Sequence, residues 1–432
     1  MSAVLIKGGR VIDPASGLDA TGDVLIVDGV IRQIEKKSGK AHPDSKTTVL
    51  DAEGCIVCPG LIDIHVHLRE PSTKHAETIA SGAEAAINGG FSTVCCMPNT
   101  TPALDSEILV EYIAMRALRA NMARVFTVGA ATAERKGQSL APILAMAKAG
   151  AVAFSDDGDG IADAGVMSAV LRTVKAAGKV FMQHCQEPTL TRGGVMNGGT
   201  LATKMGLGGW PAVAEEVMIE RDVRLNRDIG CRYHVQHVSA GGSVEIVRRA
   251  QADGEPVTAE AAPHHLLLTE DLCEGYNTQA KVNPPLRRKS DVDRLKSGIA
   301  EGVITVLATD HAPHPLESKQ TDFASAAFGM AGLECALPLY VRALVEDGVI
   351  EWPRLIALMT HEPARVAGLE EMGLGRLAVD GPGDVTVIDP EEEWVIEPEK
   401  FKSAGRNTPF AGWKVKGRAK GVVVGGAVKM WR

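Results

Sequence analysis

Two histidines that stand two residues apart in an apolar run are the first residues of this chain that could do chemistry. The run reads LIDIHVHLREP, from Leu61 to Pro71, and it places His65 and His67 just before an abrupt change to Arg-Glu-Pro. Successive side chains of a β-strand point to opposite faces, so residues i and i+2 share a face. Two neutral imidazoles on one face can bind one metal ion together, and zinc is a metal that imidazole suits. The spacing therefore predicts a metal site at the end of a buried strand.

Further polar side chains of the same chemical types follow other apolar segments of the chain. Most are histidines or aspartates, which serve as metal ligands and proton carriers in catalytic sites. A lone histidine is more often a hydrogen-bonded core residue, but this many at the ends of successive segments indicates one shared site. The residues are Asn99, Asp156, Asp157, His184, His234, His237, His264, His265, Asp310, His311 and His314.

The segments that carry these residues alternate with helical patterns. Eight of them are predicted to be short buried strands: GLIDIHVH, STVCCMPN, RVFTVGAAT, AVAFSDDG, KVFMQHC, RYHVQHVSA, VTAEAAPHH and ITVLATDH. Strand–helix alternation indicates a parallel sheet, and eight units indicate a closed (β/α)8 TIM-like barrel, an α/β fold whose active site lies at the carboxyl ends of the strands. A doubly wound open sheet is the alternative, but no G-x-G-x-x-G follows the first barrel strand.

The two ends of the chain differ from the middle. AVLIKGGRVID and GDVLIVDGVIRQI near the start, and GDVTVIDP and KGVVVGGAVKMW near the end, are short β-rich stretches separated by Gly-Gly and Asp-Gly turn signals. We expect both termini to build one small β-sandwich domain. The predicted division is residues 1–55 with 368–432 for the small domain and 56–367 for the barrel.

The composition argues against several classes of protein. The chain has 432 residues and a formal net charge of −8 without a basic run, which argues against a nucleic-acid partner. Its eight cysteines are scattered, as expected in a reducing cytoplasm rather than in a disulfide framework. The first residues lack the pattern of a signal peptide, and no apolar run approaches the ~18 residues of a membrane span. We therefore expect a cytoplasmic protein with neither a nucleic-acid nor a membrane partner.

Several motifs together give the chain a specific resemblance. GLIDIHVHLREP resembles the first-strand signature of the amidohydrolase superfamily, and its Arg-Glu-Pro is similar to that of the dihydroorotases, in their long cytoplasmic bacterial class. The likeness extends over nearly the whole chain. The other motifs that carry it are MPNT at 97–100, FSDDG at 154–158, HVQHVSA at 234–240, NPPLR at 283–287, ATDHAPH at 308–314, FGMAGLE at 328–334 and NTPF at 407–410.

The resemblance implies one or two zinc ions per subunit. Many amidohydrolases bridge two metals with a carboxylated lysine on the fourth strand, but AVAFSDDG contains no lysine, which leaves Asp157 as the bridge and Asp156 outside the ligand set. In HVQH, His237 matches the family's ligand position. His234 is expected to be structural, because residues i and i+3 cannot share a strand face. The implied ligands are His65, His67, Asp157, His184, His237 and Asp310.

The resemblance also implies a set of residues that bind the substrate. Dihydroorotate has a carboxylate beside its cyclic amide, and a guanidinium can hold a carboxylate with two charge-assisted hydrogen bonds. For Arg69, the alternative is a surface ion pair with a neighbour such as Glu70. Arg69 and His314 are both expected to be able to carry positive charge, and His264 and His265 are assigned no catalytic role. The implied substrate-binding residues are Arg69, Asn99, Asn283 and His314.

For the activity, the resemblance implies a zinc-dependent dihydroorotase that interconverts N-carbamoyl-L-aspartate and dihydroorotate in pyrimidine biosynthesis. Asp310 is the implied catalytic residue, which takes a proton from the attacking water and passes it to the leaving nitrogen. Two alternatives are a hydantoinase or allantoinase of the same superfamily, and a catalytically inactive relative that assembles with a carbamoyltransferase. A homo-oligomer and a complex with aspartate carbamoyltransferase are both left open as assemblies.

Overall fold

The middle of the chain forms the predicted barrel. The computed structural model describes residues 2–37, 47–72 and 75–432. Within these residues, eight parallel strands pair in chain order, and the sheet closes where the backbone N–H of His67 donates to the carbonyl of His311 at 2.8 Å. The (β/α)8 prediction is confirmed, and the open sheet is excluded. The strands are Leu61–Val66, Phe91–Cys96, Arg124–Ala130, Ala153–Ser155, Val180–Gln183, Arg232–Val235, Val257–Ala261 and Val306–Leu307.

The barrel strands are buried on both faces. All six residues of the first strand, Leu61–Val66, are buried, and so are all six of the second, Phe91–Cys96. Helices cover the outer face of such a barrel and side chains fill its interior, so its strands are near-continuous apolar runs. A polar side chain at the end of a strand is therefore held by a closely packed, rigid element.

Helices alternate with the strands and pack around them. The first begins after Thr78, whose side-chain oxygen accepts from the backbone N–H of Ser81, and it ends at Gly90, where φ is +96°. The helices are Ile79–Gly89, Glu107–Ala120, Ile143–Lys148, Ala164–Ala176, Pro188–Thr191, Thr200–Met205, Val213–Asn226, Gly241–Ala252, Pro263–Leu267, Lys289–Ala300, Ala336–Tyr340, the π-helix Val341–Glu346, Trp352–Met359 and His361–Ala367.

Shorter elements lie in the connections between strands and helices. Two two-residue strands, Met196–Asn197 and Gly209–Trp210, pair with each other after the fifth barrel strand. Short 3-10 helices are Ala133–Arg135, Glu270–Cys273, Thr278–Ala280, Leu316–Ser318, Leu333–Cys335, Leu369–Met372 and Pro398–Lys400. Among the helices of the described residues, none has the length and apolar character that crossing a bilayer requires.

Both termini contribute to a second sheet, as predicted. Buried residues from its two ends, among them Val4, Ile26, Val387 and Val423, pack into one shared core. The fold class of a barrel with a small β unit from both termini is therefore confirmed. The strands are Ala3–Asp13, Leu18–Val27, Val30–Glu35, Thr47–Asp51, Ile56–Pro59, Val385–Val395, Lys414–Val424 and Ala427–Trp431.

The strand Ile56–Pro59 joins the two chain ends within this sheet. It pairs parallel with Ala3–Asp13 and antiparallel with Val385–Val395. The predicted division at residue 56 gives this strand to the barrel, whereas its hydrogen bonds place it in the terminal sheet. The division into 1–55 with 368–432 and 56–367 stays a prediction, and the pairing favours a first boundary after Pro59.

Candidate metal centre and substrate cavity

The predicted ligands come together at the carboxyl ends of the barrel strands. His65 is the last but one residue of the first strand, and His67 is the first residue after that strand. The other four predicted ligands come one to three residues after later strands. Of these, Asp157 follows the fourth strand, His184 the fifth and His237 the sixth. Asp310 lies three residues beyond the eighth. All six residues are at least 95% buried, so the fold places a group of titratable side chains in one protected space.

One half of the group consists of His65, His67 and Asp310. The ring nitrogen His67 Nε2 lies 3.0 Å from Asp310 Oδ1, and His65 Nε2 lies 3.6 Å from the same oxygen. One possible ligand atom of each residue lies within 4.8 Å of those of the other two. The i, i+2 spacing of the two histidines thus brings both rings to one carboxylate.

The other half contains His184 and His237. His184 Nδ1 lies 2.8 Å from His237 Nε2, and the two nitrogens lie 3.5 and 3.6 Å from Asp157 Oδ1. His65 Nε2 lies 3.3 Å from the same oxygen of Asp157. Asp157 therefore faces both halves of the group, at the place where the family's bridging group is expected.

The donor set fits a divalent metal. His65 Nε2 and Asp157 Oδ1 are buried, and neither finds a hydrogen-bond partner among the described residues. In His65 and His67, the ring nitrogen that points away from the carboxylates is held by a hydrogen bond. His65 Nδ1 donates to Glu260 Oε1 at 2.5 Å, and His67 Nδ1 donates to Asn99 Oδ1 at 2.7 Å. A proton on Nδ1 leaves the lone pair of Nε2 free, which is the arrangement of a metal-binding histidine with its outer partner.

The electrostatics of the group favour ionised carboxylates. Burial raises the pKa of Asp157, but the charge of His65 and the nearby imidazoles of His184 and His237 outweigh burial and hold that pKa well below its usual range. Burial likewise opposes ionisation of Asp310, yet the close contact with the His67 ring and the charge of His65 hold its pKa low. Two ionised carboxylates are thus ready to bind a cation or to accept a proton.

Metal affinity should depend steeply on pH. Burial lowers the pKa of His65, but Asp157 and Glu260 outweigh it and raise the pKa well above 6.5 in the metal-free protein. The pKa of His184 is also raised, mainly by Asp157 acting against burial. A metal must displace these protons, so its affinity should fall as pH falls, by about tenfold per pH unit for each proton displaced. Chelator competition at several pH values measures this, and an affinity that does not change with pH would contradict the ligand assignment.

Glu260 is a residue that the sequence analysis missed. It is buried in the seventh strand, accepts from His65 Nδ1, and lies 3.0 Å from His234 Nε2, while the backbone N–H of His237 donates to it at 3.1 Å. His234 also contacts Thr258 and lies outside the metal-type group, which is the group of six predicted ligands, as expected for a structural residue. The sequence feature that could have indicated Glu260 is an acidic residue within the otherwise apolar strand VTAEA.

A cavity of about 210 Å³ opens beside the metal-type group. The four predicted substrate-binding residues all line it, together with every predicted metal ligand except His65. Gly158 belongs to its wall at φ +89°, where an added Cβ would come within 3.3 Å of Asn99 Nδ2. The structure therefore brings both predicted groups of residues into contact with one space.

Arg69 faces this cavity rather than Glu70. Its Nε donates to the carbonyl of Pro313 at 3.3 Å, and its backbone has φ +57°. Glu70 instead pairs with Arg116 at 2.7 Å and accepts from the hydroxyl of Tyr112. The alternative of an Arg69–Glu70 ion pair is therefore wrong, because the chain turns between the two residues and sends their side chains to different partners.

His314 is uncharged at neutral pH in this structure, which corrects one expectation. Its Nε2 donates to the carbonyl of Phe328 at 2.7 Å. Burial first, and then the neighbouring charge of Arg69, lower the pKa of His314 to about 3. The expected pair of cations is thus a single cation, Arg69, with a neutral imidazole beside it.

Asn407 was also missed as a residue that shapes the cavity. Its Oδ1 accepts from the backbone N–H of His314 at 2.8 Å, and its Nδ2 donates to the carbonyls of Ala312 and Gly329 at 3.0 and 3.1 Å. All three of these partners line the cavity or lie in its wall. The motif NTPF was noted in the sequence, but nothing local indicates which loop its asparagine would hold.

His264 and His265 lie close to the group without lining the cavity. Both are buried, and burial lowers the pKa of His264 to about 4 and that of His265 well below its usual range. His265 Nε2 donates to the carbonyl of Pro284 at 3.0 Å. Both rings are therefore uncharged at neutral pH.

Comparisons of the sequence identify relatives along its full length. The family model described as Dihydro-orotase-like matches residues 54–243. The dihydroorotase of Geobacter sp. (strain M21) is 45% identical over 425 residues, which cover 98% of this chain and 98% of the relative. The dihydroorotase of Pelotomaculum thermopropionicum is 45% identical over 427 residues, covering 99% of this chain and 98% of the relative.

Solved structures share the fold. The L-hydantoinase (dihydropyrimidinase) from Arthrobacter aurescens superposes with a TM-score of 0.86 at 26% identity, covering 100% of this chain and 96% of that one. A D-hydantoinase (dihydropyrimidinase) from Thermus sp. gives a TM-score of 0.83 at 23% identity, covering 99% and 95%. At that lower identity the likeness concerns the fold alone, so the sequence relatives discriminate better between activities.

Proposed function

The chain belongs to the dihydroorotase family, whose members are cyclic amide hydrolases, and we propose that it catalyses the reversible interconversion of N-carbamoyl-L-aspartate and (S)-dihydroorotate in de novo pyrimidine biosynthesis. One observation carries the choice of substrate: a single cavity joins a metal-type His/Asp group to a half-buried arginine and two asparagines. Such a site can act on an amide carbonyl and hold a carboxylate in the same molecule.

We propose zinc as the metal, with one or two ions per subunit. When bound, a divalent metal supplies a nucleophile by lowering the pKa of a water to about 7 and polarises the reacting carbonyl. The imidazole-rich donor set favours zinc over magnesium or calcium, which prefer oxygen ligands. The residues that would hold the metal are His65, His67, Asp157, His184, His237 and Asp310.

Asp310 is proposed as the group that moves the proton. Its pKa is held low, so the carboxylate is ionised at neutral pH and can accept the proton of the attacking water. It then returns that proton to the ring nitrogen that leaves when the amide bond breaks. In the biosynthetic direction, the same carboxylate takes a proton from the attacking ureido nitrogen and gives it to the departing water. Asp310 has φ +48°, a backbone strain typical of functional sites, and the barrel holds it there.

The cavity residues are proposed to recognise the rest of the substrate. Arg69 supplies the fixed positive charge for the carboxylate. The Oδ1 of Asn99 is occupied by His67, which leaves its Nδ2 as a donor. The Oδ1 of Asn283 is buried without a partner among the described residues, so it can accept from an N–H of the ring. His314 adds a neutral imidazole beside Arg69.

Substrate preference tests this proposal. A neutral cyclic amide such as dihydrouracil offers no carboxylate to the half-buried guanidinium of Arg69, and a donor left without its partner costs ~1–3 kcal/mol, or more when the group is charged. The protein should therefore prefer dihydroorotate to dihydrouracil and hydantoin by orders of magnitude in kcat/KM. Arg69→Met should erode that preference, chiefly by weakening the use of dihydroorotate.

Arg116→Met is the matched control for this test. Arg116 lies close in space to the same loop and pairs with Glu70, but it does not line the cavity. Its replacement should leave the substrate preference unchanged. A wild-type protein that opens hydantoin or dihydrouracil as readily as dihydroorotate would make the hydantoinase alternative the better one.

The sequence argues against both alternative functions, a hydantoinase and a catalytically inactive relative. Hydantoinase structures share the fold, but the bridging lysine that the hydantoinase alternative would lead one to expect does not occur in AVAFSDDG. An inactive relative that assembles with aspartate carbamoyltransferase would be expected to have lost ligands, whereas the whole set is present and convergent. A homo-oligomer, a carbamoyltransferase complex, the lack of nucleic-acid and membrane partners and a cytoplasmic location remain expectations from the sequence.

A further inference from the structure

Gln186 lies between the metal-type group and the substrate cavity, and one of its atoms serves both. It follows the fifth strand by three residues. Its Oε1 accepts from His184 Nε2 at 2.9 Å and from Asn283 Nδ2 at 3.2 Å. A single amide oxygen therefore contacts a proposed metal ligand on one side and a proposed substrate contact on the other.

The orientation of the Gln186 amide is fixed by a third contact. Its Nε2 donates to the hydroxyl oxygen of Thr191 at 3.2 Å, and that hydroxyl donates to the carbonyl of Glu187. A flipped amide would place a donor against the donor of Asn283 and an acceptor against an oxygen whose proton is already used. The network thus selects the orientation in which Oε1 faces His184 and Asn283.

For His184, this contact selects which ring nitrogen carries the proton. With Nε2 donating to Gln186, the lone pair lies on Nδ1. Nδ1 is the nitrogen that lies 2.8 Å from His237 Nε2 and 3.5 Å from Asp157 Oδ1. Gln186 therefore does for His184 what Glu260 does for His65: it holds the remote nitrogen so that the other one faces the group.

For Asn283, the same oxygen selects which end of the side chain is free. The Nδ2 of Asn283 is engaged by Gln186, and its buried Oδ1 has no partner among the described residues. Asn283 lines the cavity and so offers an acceptor rather than a donor to a ligand. A ring N–H of a cyclic amide is a complementary donor.

We propose that Gln186 is a positioning residue that sets both the metal-facing nitrogen of His184 and the acceptor orientation of Asn283. The part that concerns Asn283 rests on the proposed function, while the part that concerns His184 requires only a metal. Outer partners of metal-binding histidines typically contribute 10–100-fold to metal affinity. Loss of the Gln186 oxygen should therefore weaken metal binding and ligand binding together.

The experiment compares three variants of the full-length protein. Gln186→Met keeps the length of the side chain but removes the amide, and it should lower Zn²⁺ affinity about 10–100-fold in competition with a chelator. At saturating Zn²⁺ it should also raise the KM for dihydroorotate more than it lowers kcat. Gln186→Glu keeps an oxygen that can accept from both partners and should restore Zn²⁺ affinity. Gln251→Met is the control, since Gln251 is also half-buried, donates to the carbonyls of Val257 and Val303 and does not line the cavity.

Four results of these measurements would overturn the positioning role of Gln186. A Gln186→Met protein with unchanged Zn²⁺ affinity, or with an unchanged KM at saturating Zn²⁺, overturns the proposal. The same holds if Gln186→Glu loses as much affinity as Gln186→Met, or if Gln251→Met loses as much as either. Zn²⁺ affinity is measured without turnover, so a wild-type protein that is inactive on dihydroorotate would refute the proposed function while the His184 assignment is still tested.

Discussion

Replacing His65 with alanine should remove bound metal and abolish turnover while the barrel stays folded. Two sets of three described residues could each hold a metal ion, His65 with Asp157 and His237, and His65 with His67 and Asp310. His65 belongs to both sets, and its Nε2 lies within 3.6 Å of both Asp157 and Asp310. Without its imidazole, the site loses the nitrogen ligand that it would offer to a metal between the two carboxylates. Metal analysis of the purified variant, with circular dichroism to check folding, measures the effect.

His234→Ala is the matched control for the His65 variant. His234 is also fully buried and contacts the same carboxylate of Glu260, but its ring nitrogens face Thr258 and Glu260 rather than the metal-type group. It should lose stability and keep bound metal. A His65→Ala protein with full metal content and a near-normal rate would refute the ligand assignment.

Replacing Asp310 with asparagine should lower kcat by about 10²–10⁴-fold, which is the usual contribution of a positioned acid–base group. Asparagine has nearly the same shape but cannot take up the proton of the attacking water. Loss of a ligand to the metal would add to the effect, so metal content should be measured on the same sample. Substrate binding should persist, because Arg69, Asn99 and Asn283 are unchanged.

A buried aspartate that does not line the cavity provides the control for this variant. Asp222 lies in the helix Val213–Asn226 and accepts from Gln183 and Tyr233. Asp222→Asn should cost stability without a comparable loss of kcat. If Asp310→Asn kept more than about a tenth of the wild-type kcat at full metal content, another residue would have to act as the base.

The sequence was sufficient for the fold because its signals are local. Each predicted barrel strand is a short apolar run, and a strand is present within every one of the eight. Helices also lie between the barrel strands, as the alternation predicted, for example Glu107–Ala120 between the second and third strands. The unusual polar residues could be placed because a barrel brings all of its strand ends to one mouth.

The rest of the site depends on contacts between distant parts of the chain. Glu260 meets His65 across 195 residues of sequence, and Asn407 meets His314 across 93. The charge of His314 depends on burial and on Arg69, neither of which a motif specifies. Gln186 stands two residues after a predicted ligand, yet its link to Asn283 exists only in the folded protein.

The most direct test of the proposed activity is ring opening of dihydroorotate by the purified protein, with bound metal measured on the same sample. The proposal predicts turnover that rises with metal content, is lost on chelation and returns with Zn²⁺. It also predicts that hydantoin and dihydrouracil are used far more slowly. A protein with its full metal content that does not open dihydroorotate, or that opens hydantoin at least as fast, would contradict the proposal.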